Sequence, residues 1–371
     1  MKSSLENMSI ALVHDWLTNL AGAERVLLEI KKIFPQADIY TSVFDKKNAS
    51  AFAKFDVKTS YLQTYPLLKA KREFLVPLTP RAFESFDLSK YDLVISNTTF
   101  AAKGVITKPE TIHICYCHTP TRYLWEPEID PRSSTGMFQG LRKKIAHRLR
   151  IWDKIAADRP DFYFANSNYI AKRIKKYYCR DSKIIYPPVD VNKFSPAKND
   201  SEVKDYYLFV SRLIGYKKCD LVVEAFNKLK LPLIIIGRGP EKERLQKIAE
   251  SNIKFLGYLS DEKMKKYYRE ARAFIFAAEE DFGIVPVEAM AAGRPVIAYS
   301  KGGATETVVD NKTGIFFPEQ TAESLVMAVK GFNPKKFDSR VIRKQAEKFS
   351  EERFRREFKE AVEEIVNNKL T

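Results

Sequence analysis

No apolar run in this chain approaches the roughly 18 residues that a bilayer-spanning helix requires, so the sequence gives no reason to expect one. The opening stretch MKSSLENMSIALVHDW passes straight into a strand-like run, without the apolar middle region and cleavage site of a secretory leader, and the cytosol is the expected compartment. Cysteine is sparse. Cys115, Cys117, Cys179 and Cys219 form neither a CxxC pair nor a metal-type spacing, which argues against a zinc module and leaves reduced thiols in or near the core. No Asp-x-Asp clamp stands at a strand end, since 45–47 and 190–192 carry single acids in loops. Repeats of fixed period and low-complexity segments are also missing, which excludes solenoids and disordered tails.

What is present suits a two-domain enzyme: 371 residues, 45% hydrophobic and 30% charged. The net charge of +16 stands out and implies an anionic partner, whether a nucleoside diphosphate, an anionic lipid surface or nucleic acid. The cations are clustered. Lys69, Lys71, Arg72 and Arg81 interleave with Leu67, Leu68, Phe74, Leu75 and Val76. Arg142, Lys143, Lys144, Arg148 and Arg150 accompany Leu141, Ile145, Leu149 and Trp152 at helical spacing, and Lys172, Arg173, Lys175, Lys176 and Arg180 follow. A basic amphipathic helix suits a membrane surface, and equally the solvated face of a helix packed into its own domain.

Short apolar runs alternate with amphipathic segments. Strands are expected at 9–14, 39–43, 57–62, 93–97, 112–117, 162–165 and 183–186, with helices at 22–34, 140–157 and 169–178. The proline-rich stretch YPPVDVNKFSPAKNDSEVKD marks the boundary, after which strands at 207–211, 233–236 and 253–256 alternate with helices at 219–228, 241–250 and 261–270. The fold class is therefore α/β, with two doubly wound parallel sheets and a ligand crevice at the carboxyl ends of their strands. The expected domains are 1–195 and 196–349, with a helix near 350–371 returning to the first.

The stretch 274–303, FIFAAEEDFGIVPVEAMAAGRPVIAYSKGG, organises the second half. A buried strand runs into the turn Glu279 to Gly283, a helix opens with Pro286 in its first turn and ends at Gly293, and a second strand follows. Glu280 in the turn and Glu288 in the helix bracket the N–H groups of Phe282, Gly283, Ile284 and Val285, which suit an anion or a hydroxyl-rich ligand.

This segment resembles the signature of the retaining glycosyltransferases of family 4, built on the GT-B arrangement of two Rossmann-like domains. The resemblance implies that Glu288 binds the nucleotide ribose, that Glu280 touches the transferred sugar, and that the N–H groups beside it cradle sugar and phosphate. Arg212 and Lys217, in VSRLIGYKKCD, match the family's diphosphate-binding pair, with Lys218 an alternative for the second role. Fixed cations there stabilise the charge left on the β-phosphate as the sugar departs.

CYCHTPTRYLWE resembles the HTPxRYLW segment of a mannosyltransferase branch, which implies that His118 faces the transferred sugar and that Arg122, Tyr123 and Trp125 line the acceptor side. Gly22 opens the first helix where backbone can approach a phosphate, although Ala21 replaces the first glycine that the family usually shows. Gly237 and Gly239 are expected to leave room for the base, the turn ending at Leu259 to meet its edge, and Gly302-Gly303 to approach the ligand.

The expected reaction is hexose transfer, without metal or other cofactor, from a nucleoside diphosphate sugar to a saccharide or lipid-linked saccharide acceptor. GDP-mannose is the favoured donor and UDP-hexoses come second. An epimerase or phosphorylase of the same fold is an alternative. A nucleic-acid binder fits least, because no basic strip interleaved with stacking aromatics appears. An anionic membrane at the inner face of the cell is a further expected partner.

Overall fold

A computed structural model describes residues 4–65, 72–127 and 139–370, so Leu67, Leu68, Lys69 and Lys71 lie outside the described residues. Two compact units are present, Met1–Pro188 with Glu352–Thr371, and Val189–Glu351.

The first unit is a seven-stranded parallel sheet in the order β3-β2-β1-β4-β5-β6-β7. Its strands are β1 Ile10–His14, β2 Asp38–Thr41, β3 Val57–Thr59, β4 Leu93–Thr98, β5 Ile112–Cys117, β6 Phe162–Ala165 and β7 Lys183–Ile184. Strands β1, β4 and β5 are buried at every position, because a parallel sheet covered on both faces can use near-continuous apolar runs. Alternate residues feed opposite faces. Leu12, Ile39, Ile95 and Ile114 join one core with Phe354, Phe358 and Val362 of the last helix, Glu351–Leu370. Ala11, Val13 and Val94 join another with Leu149 and, partly buried, Ile145 and Trp152 of the basic helix Gln139–Ala156. The apolar stripe expected on that basic helix is thus largely a core stripe, with Leu141 left outside it.

The second unit is a six-stranded parallel sheet in the order β10-β9-β8-β11-β12-β13. It comprises β8 Tyr207–Val210, β9 Leu233–Ile236, β10 Ile253–Gly257, β11 Ala273–Phe276, β12 Val296–Tyr299 and β13 Gly314–Phe317. β13 and the helices Ala322–Gly331 and Ser339–Glu347 add to the elements expected from sequence. The divide at Pro188 falls inside the proline-rich stretch but before 195, because Val189 to Phe194 is stitched to the second unit. Arg343 donates to the carbonyls of Val191, Phe194 and Ala291 at 2.6, 2.7 and 2.9 Å, and the Val189 N–H donates to the Phe349 carbonyl at 2.9 Å.

Each sheet reverses its winding once. The reversal lies between β1 and β4 in the first unit and between β8 and β11 in the second. Connections leave to opposite faces at such a point, which opens a crevice at the strands' carboxyl ends.

Candidate active site

In the second unit the loops after β8 and β11 bring Lys217 and Glu280 together. A 3-10 turn, Gly215–Lys217, follows β8, and the left-handed backbone of Lys218 (φ 56°) redirects the chain into the helix Cys219–Leu229. Lys217 is thereby turned toward the β11 loop, where its ammonium is ion-paired and hydrogen-bonded to Glu280 Oε1. Lys218 serves the turn instead. Val210, Ser211, Ala277 and Ala278 surround the pair. The pair is only 12% and 18% exposed, so each charge depends heavily on its partner for the solvation that water no longer gives.

Tyr216, unremarked in the sequence, completes the cationic side. Its ring centroid lies 5.0 Å from Lys217 Nζ, and its hydroxyl accepts from the exposed Arg212 at 3.2 Å. Adjacency to the two basic residues was the available signal.

The Glu280 loop is held by backbone packing. Gly302 has φ 74°, and a β-carbon there would lie 2.5 Å from the Glu280 carbonyl oxygen; one on Gly303 would lie 2.2 Å from Phe282 Cα. The Gly303 N–H donates to the Glu280 carbonyl at 2.8 Å. The close approach expected of this glycine pair is therefore to the acidic loop. Phe282 is buried against Phe349, with ring centroids 5.5 Å apart, and Gly283 (φ 86°) leads into the helix Ile284–Ala291, which carries Ile284, Val285 and Glu288. Glu288 Oε2 accepts from the buried Tyr268 hydroxyl at 3.0 Å. Tyr268 is itself wedged between Phe194 and Phe274, so it fixes the carboxylate's direction.

The neighbouring loops are laced into the same rim. Gly237 (φ 148°) would place a β-carbon 1.8 Å from the Ser211 carbonyl oxygen, and its N–H donates to the Gly257 carbonyl at 2.8 Å. Leu259 is half-buried beside Tyr258, which is 67% exposed with the Arg238 guanidinium 5.2 Å from its ring. Arg238, at the carboxyl end of β9, was not singled out from sequence, and Tyr258 only for the backbone of the turn Gly257-Tyr258-Leu259.

In the first unit His118 ends β5 and is buried. Its Nε2 lies 2.7 Å from Asn97 Oδ1, and its carbonyl accepts from Asn166 Nδ2 at 2.9 Å. Asn97 is oriented by donating its Nδ2 to the Ala23 carbonyl at 2.9 Å, so its oxygen faces the imidazole and fixes the tautomer that donates from Nε2. Gly22 begins the adjoining helix Gly22–Ile33, where Glu24 accepts from the Ala21 N–H at 2.9 Å and sits 3.7 Å from His14 Nε2. Burial opposes charge on His14, but the Glu24 carboxylate beside it outweighs burial and holds the imidazole above its usual range. Burial likewise opposes charge on Glu24, and His14 holds it below the usual carboxylate range.

Asp15, next to His14, fills an anion nest of the protein's own. Its carboxylate accepts the N–H groups of Thr99, Phe100, Ala101 and Ala102 at 2.6 to 3.0 Å, together with the hydroxyls of Thr98 and Thr99. The expected acceptor residues have mixed surroundings. Arg122 is half-buried, Tyr123 packs edge-on against Phe100 at 5.6 Å, and Trp125 stacks on Tyr177 at 5.1 Å. The Trp125 indole N–H donates at 2.7 Å to Asp153, whose buried carboxylate also pairs with Lys103 at 2.5 Å and accepts from Thr121 and Tyr178.

Two doubly wound parallel-sheet units in one chain are the GT-B architecture, and the second of them carries a cation and a carboxylate at its winding reversal. Comparison with known proteins agrees. The profile of Glycosyltransferase Family 4 matches residues 20–193, and that of Glycosyl transferases group 1 matches residues 190–349. An uncharacterized glycosyltransferase of Methanocaldococcus jannaschii is 25% identical, over 95% of this chain and 97% of that one. The alpha-1,3/1,6-mannosyltransferase ALG2 of Rhizomucor pusillus is 23% identical over 84% of this chain and 81% of its own length. A GDP-mannose-dependent alpha-(1-6)-phosphatidylinositol monomannoside mannosyltransferase of Mycobacterium tuberculosis is 30% identical over 44% of this chain and 50% of its own. Among solved structures, Anabaena HepE in complex with UDP superposes with a TM-score of 0.68 at 19% identity, covering 96% of this chain and 99% of that one. Sucrose-phosphate synthase from Thermosynechococcus elongatus reaches 0.76 at 16% identity, covering 97% and 100%. The chain is a glycosyltransferase of the family 4 type with the GT-B fold.

Proposed function

We propose that this enzyme transfers a hexose, with mannose from GDP-mannose the favoured donor, to a hydroxyl of a saccharide or lipid-linked saccharide, with retention of anomeric configuration and without a metal ion. The observation that carries the reading is the Lys217–Glu280 pair at the winding reversal of the second sheet. Its cation suits the diphosphate of a nucleotide sugar and its carboxylate suits the sugar hydroxyls, so the donor takes over both charges from each other. Arg212 joins Lys217 on the phosphates, Glu288 takes the ribose, and the backbone at 282–285 with the rims at Gly237 and Leu259 holds the rest of the donor.

In the first unit His118 is assigned to the transferred sugar and Gly22 to donor approach, while Arg122, Tyr123 and Trp125 are assigned to the acceptor side. During transfer the bond from the anomeric carbon to the β-phosphate oxygen breaks and a bond to the acceptor oxygen forms on the same face. The acceptor proton passes to the leaving phosphate. No protein nucleophile takes part, so rate comes from positioning and from cations set where charge develops.

Two relatives are named as mannosyltransferases, which supports mannose, whereas HepE was solved with UDP, which keeps UDP-hexoses as the second reading. No helix among the described residues is long and apolar enough to cross a membrane, and a cytoplasmic enzyme working at a membrane surface is the arrangement proposed. A thermal-shift screen of GDP-, UDP- and ADP-sugars in the presence of a chelator tests the donor. The expected result is stabilisation greatest for GDP-mannose, about 2.7 kcal/mol at a concentration about 100 times Kd. Stabilisation only by UDP-sugars moves the donor to the second reading, and stabilisation that vanishes with chelation overturns the metal-free one.

A further inference from the structure

The basic helix Gln139–Ala156 carries two apolar stripes. One, with Ile145, Leu149 and Trp152, packs into the first unit's core. The other faces outward: Leu141, Ile151 and Ile155 are 58%, 51% and 57% exposed. At 100° per residue, Lys144 and Arg148 fall within this second stripe and His147 flanks it, and all three are exposed. Asp153, the sole acid of the helix, points the other way and is fully buried with Lys103.

Large aliphatic side chains left in water beside cations, on a helix that packs into the core through an adjacent stripe, add nothing to that core. An exposed apolar stripe within a cationic rim is the arrangement that lies flat in an anionic lipid interface, with aliphatic chains at acyl depth and ammonium groups at the phosphates. The third basic cluster contributes less than its composition suggests. Arg173 is buried on Thr119 and Glu126, and Arg180 donates to the carbonyls of Pro160 and Asp161.

We infer that the outward stripe of Leu141, Lys144, Arg148, Ile151 and Ile155 is a docking face for an anionic bilayer, holding the helix parallel to its surface. This deepens the proposed function and rests on it only in taking the acceptor to be lipid-linked. Charge complementarity selects the occupant. A purely apolar partner surface would leave Lys144 and Arg148 unpaired, and a nucleic acid would gain little from three aliphatic chains.

Flotation of the full chain with vesicles of phosphatidylglycerol and phosphatidylcholine, against phosphatidylcholine alone, tests the inference. Binding is expected only to the anionic vesicles, weakening as ionic strength rises toward about 0.5 M. Two variants, Leu141→Ser/Ile151→Ser/Ile155→Ser and Lys144→Glu/Arg148→Glu, should each lower the bound-to-free ratio by at least about tenfold. Lys336→Glu/Arg340→Glu, which makes the same charge change at exposed cations of the second unit, should leave the ratio unchanged. The inference is overturned if the wild type fails to float, if either helix variant floats as well as wild type, or if the second-unit variant loses as much. It is also overturned if the triple serine change instead dissolves a dimer or abolishes nucleic-acid retention. Donor-induced thermal shifts read without vesicles separate the two failures: their absence sinks the transferase reading and leaves the flotation result standing, and their retention in the serine variant shows that it folds.

Discussion

His14 shows how the surroundings of one residue set a measurable pH response. Its protonated form gains Glu24, so its folded pKa lies above the unfolded value of about 6.5, and the stability this contributes is fully present below that value and lost as pH rises through the folded pKa. Glu24 works in the opposite direction. Its folded pKa lies below the unfolded value of about 4.3, so its contribution is present above that value and lost as pH falls through the folded one. Urea denaturation of wild type and His14→Gln should therefore differ most between about pH 4.5 and 6.5, with the gap narrowing on either side. A gap independent of pH contradicts the pairing. His113 has the opposite slope, because burial pushes it down to about 4 and stability falls as pH drops below its unfolded value.

Residue-scale partners were the least legible feature of the sequence. Glu280 and Lys217 are far apart in the chain, and spacing along a helix or loop carries no information about a contact made across a sheet's carboxyl edge. The same holds for Asp15 and the loop of Thr99 to Ala102, and for Tyr268 beneath Glu288.

At the scale of elements, the Lys103–Asp153 pair ties together four pieces of the first unit. Lys103 belongs to the 3-10 turn Ala102–Gly104 and Asp153 to the basic helix, while Trp125 and Tyr178 bring in the helices Arg122–Trp125 and Asn168–Tyr178. Removing one partner leaves a charge buried and unpaired. Asp153→Ala should cost about 3–5 kcal/mol in chemical denaturation, whereas replacing both with apolar residues of similar volume, Lys103→Met with Asp153→Leu, should cost clearly less. Equal losses would mean that the hydroxyl and indole contacts dominate.

Elements themselves were readable where burial imposes a pattern. The strands β9 and β11 are short apolar runs because water reaches little of either face, and sequence alone marks them closely. The helix Ser339–Glu347 is mostly polar and buries only Ile342 and Ala346, too weak an apolar signal to stand out. Helical periodicity also revealed that 139–156 is amphipathic, but two apolar stripes on one helix leave open which of them meets the core, and only packing decides. The glycine pair at 302–303 was legible as a close approach, but its partner, the acidic loop's backbone, was not.

Across the whole molecule, the two units repeat one winding scheme with opposite outcomes at the reversal. In the first unit the nest at the ends of β1 and β4 is filled by Asp15, whose carboxylate takes the N–H groups that a phosphate would need. In the second, the equivalent position holds a lysine whose counter-charge is a side chain able to turn away. Under the proposed function, this difference directs the nucleotide to the second unit. The excess of cations then has two uses under this account: Arg212 and Lys217 for the donor, and the outer stripe of the basic helix for lipid.

Calorimetric titration of GDP, which has phosphates but no hexose, against wild type, Lys217→Ala and Glu280→Gln tests the central claim most directly. Loss of a charge-assisted contact worth about 1.5–3 kcal/mol should weaken GDP binding to Lys217→Ala by roughly 10- to 150-fold. Glu280→Gln should bind GDP more tightly than wild type, because the competitor for the ammonium is gone, although its sugar transfer falls. Wild-type affinity for GDP in Lys217→Ala, or weaker binding in Glu280→Gln, would contradict a donor site built on that pair.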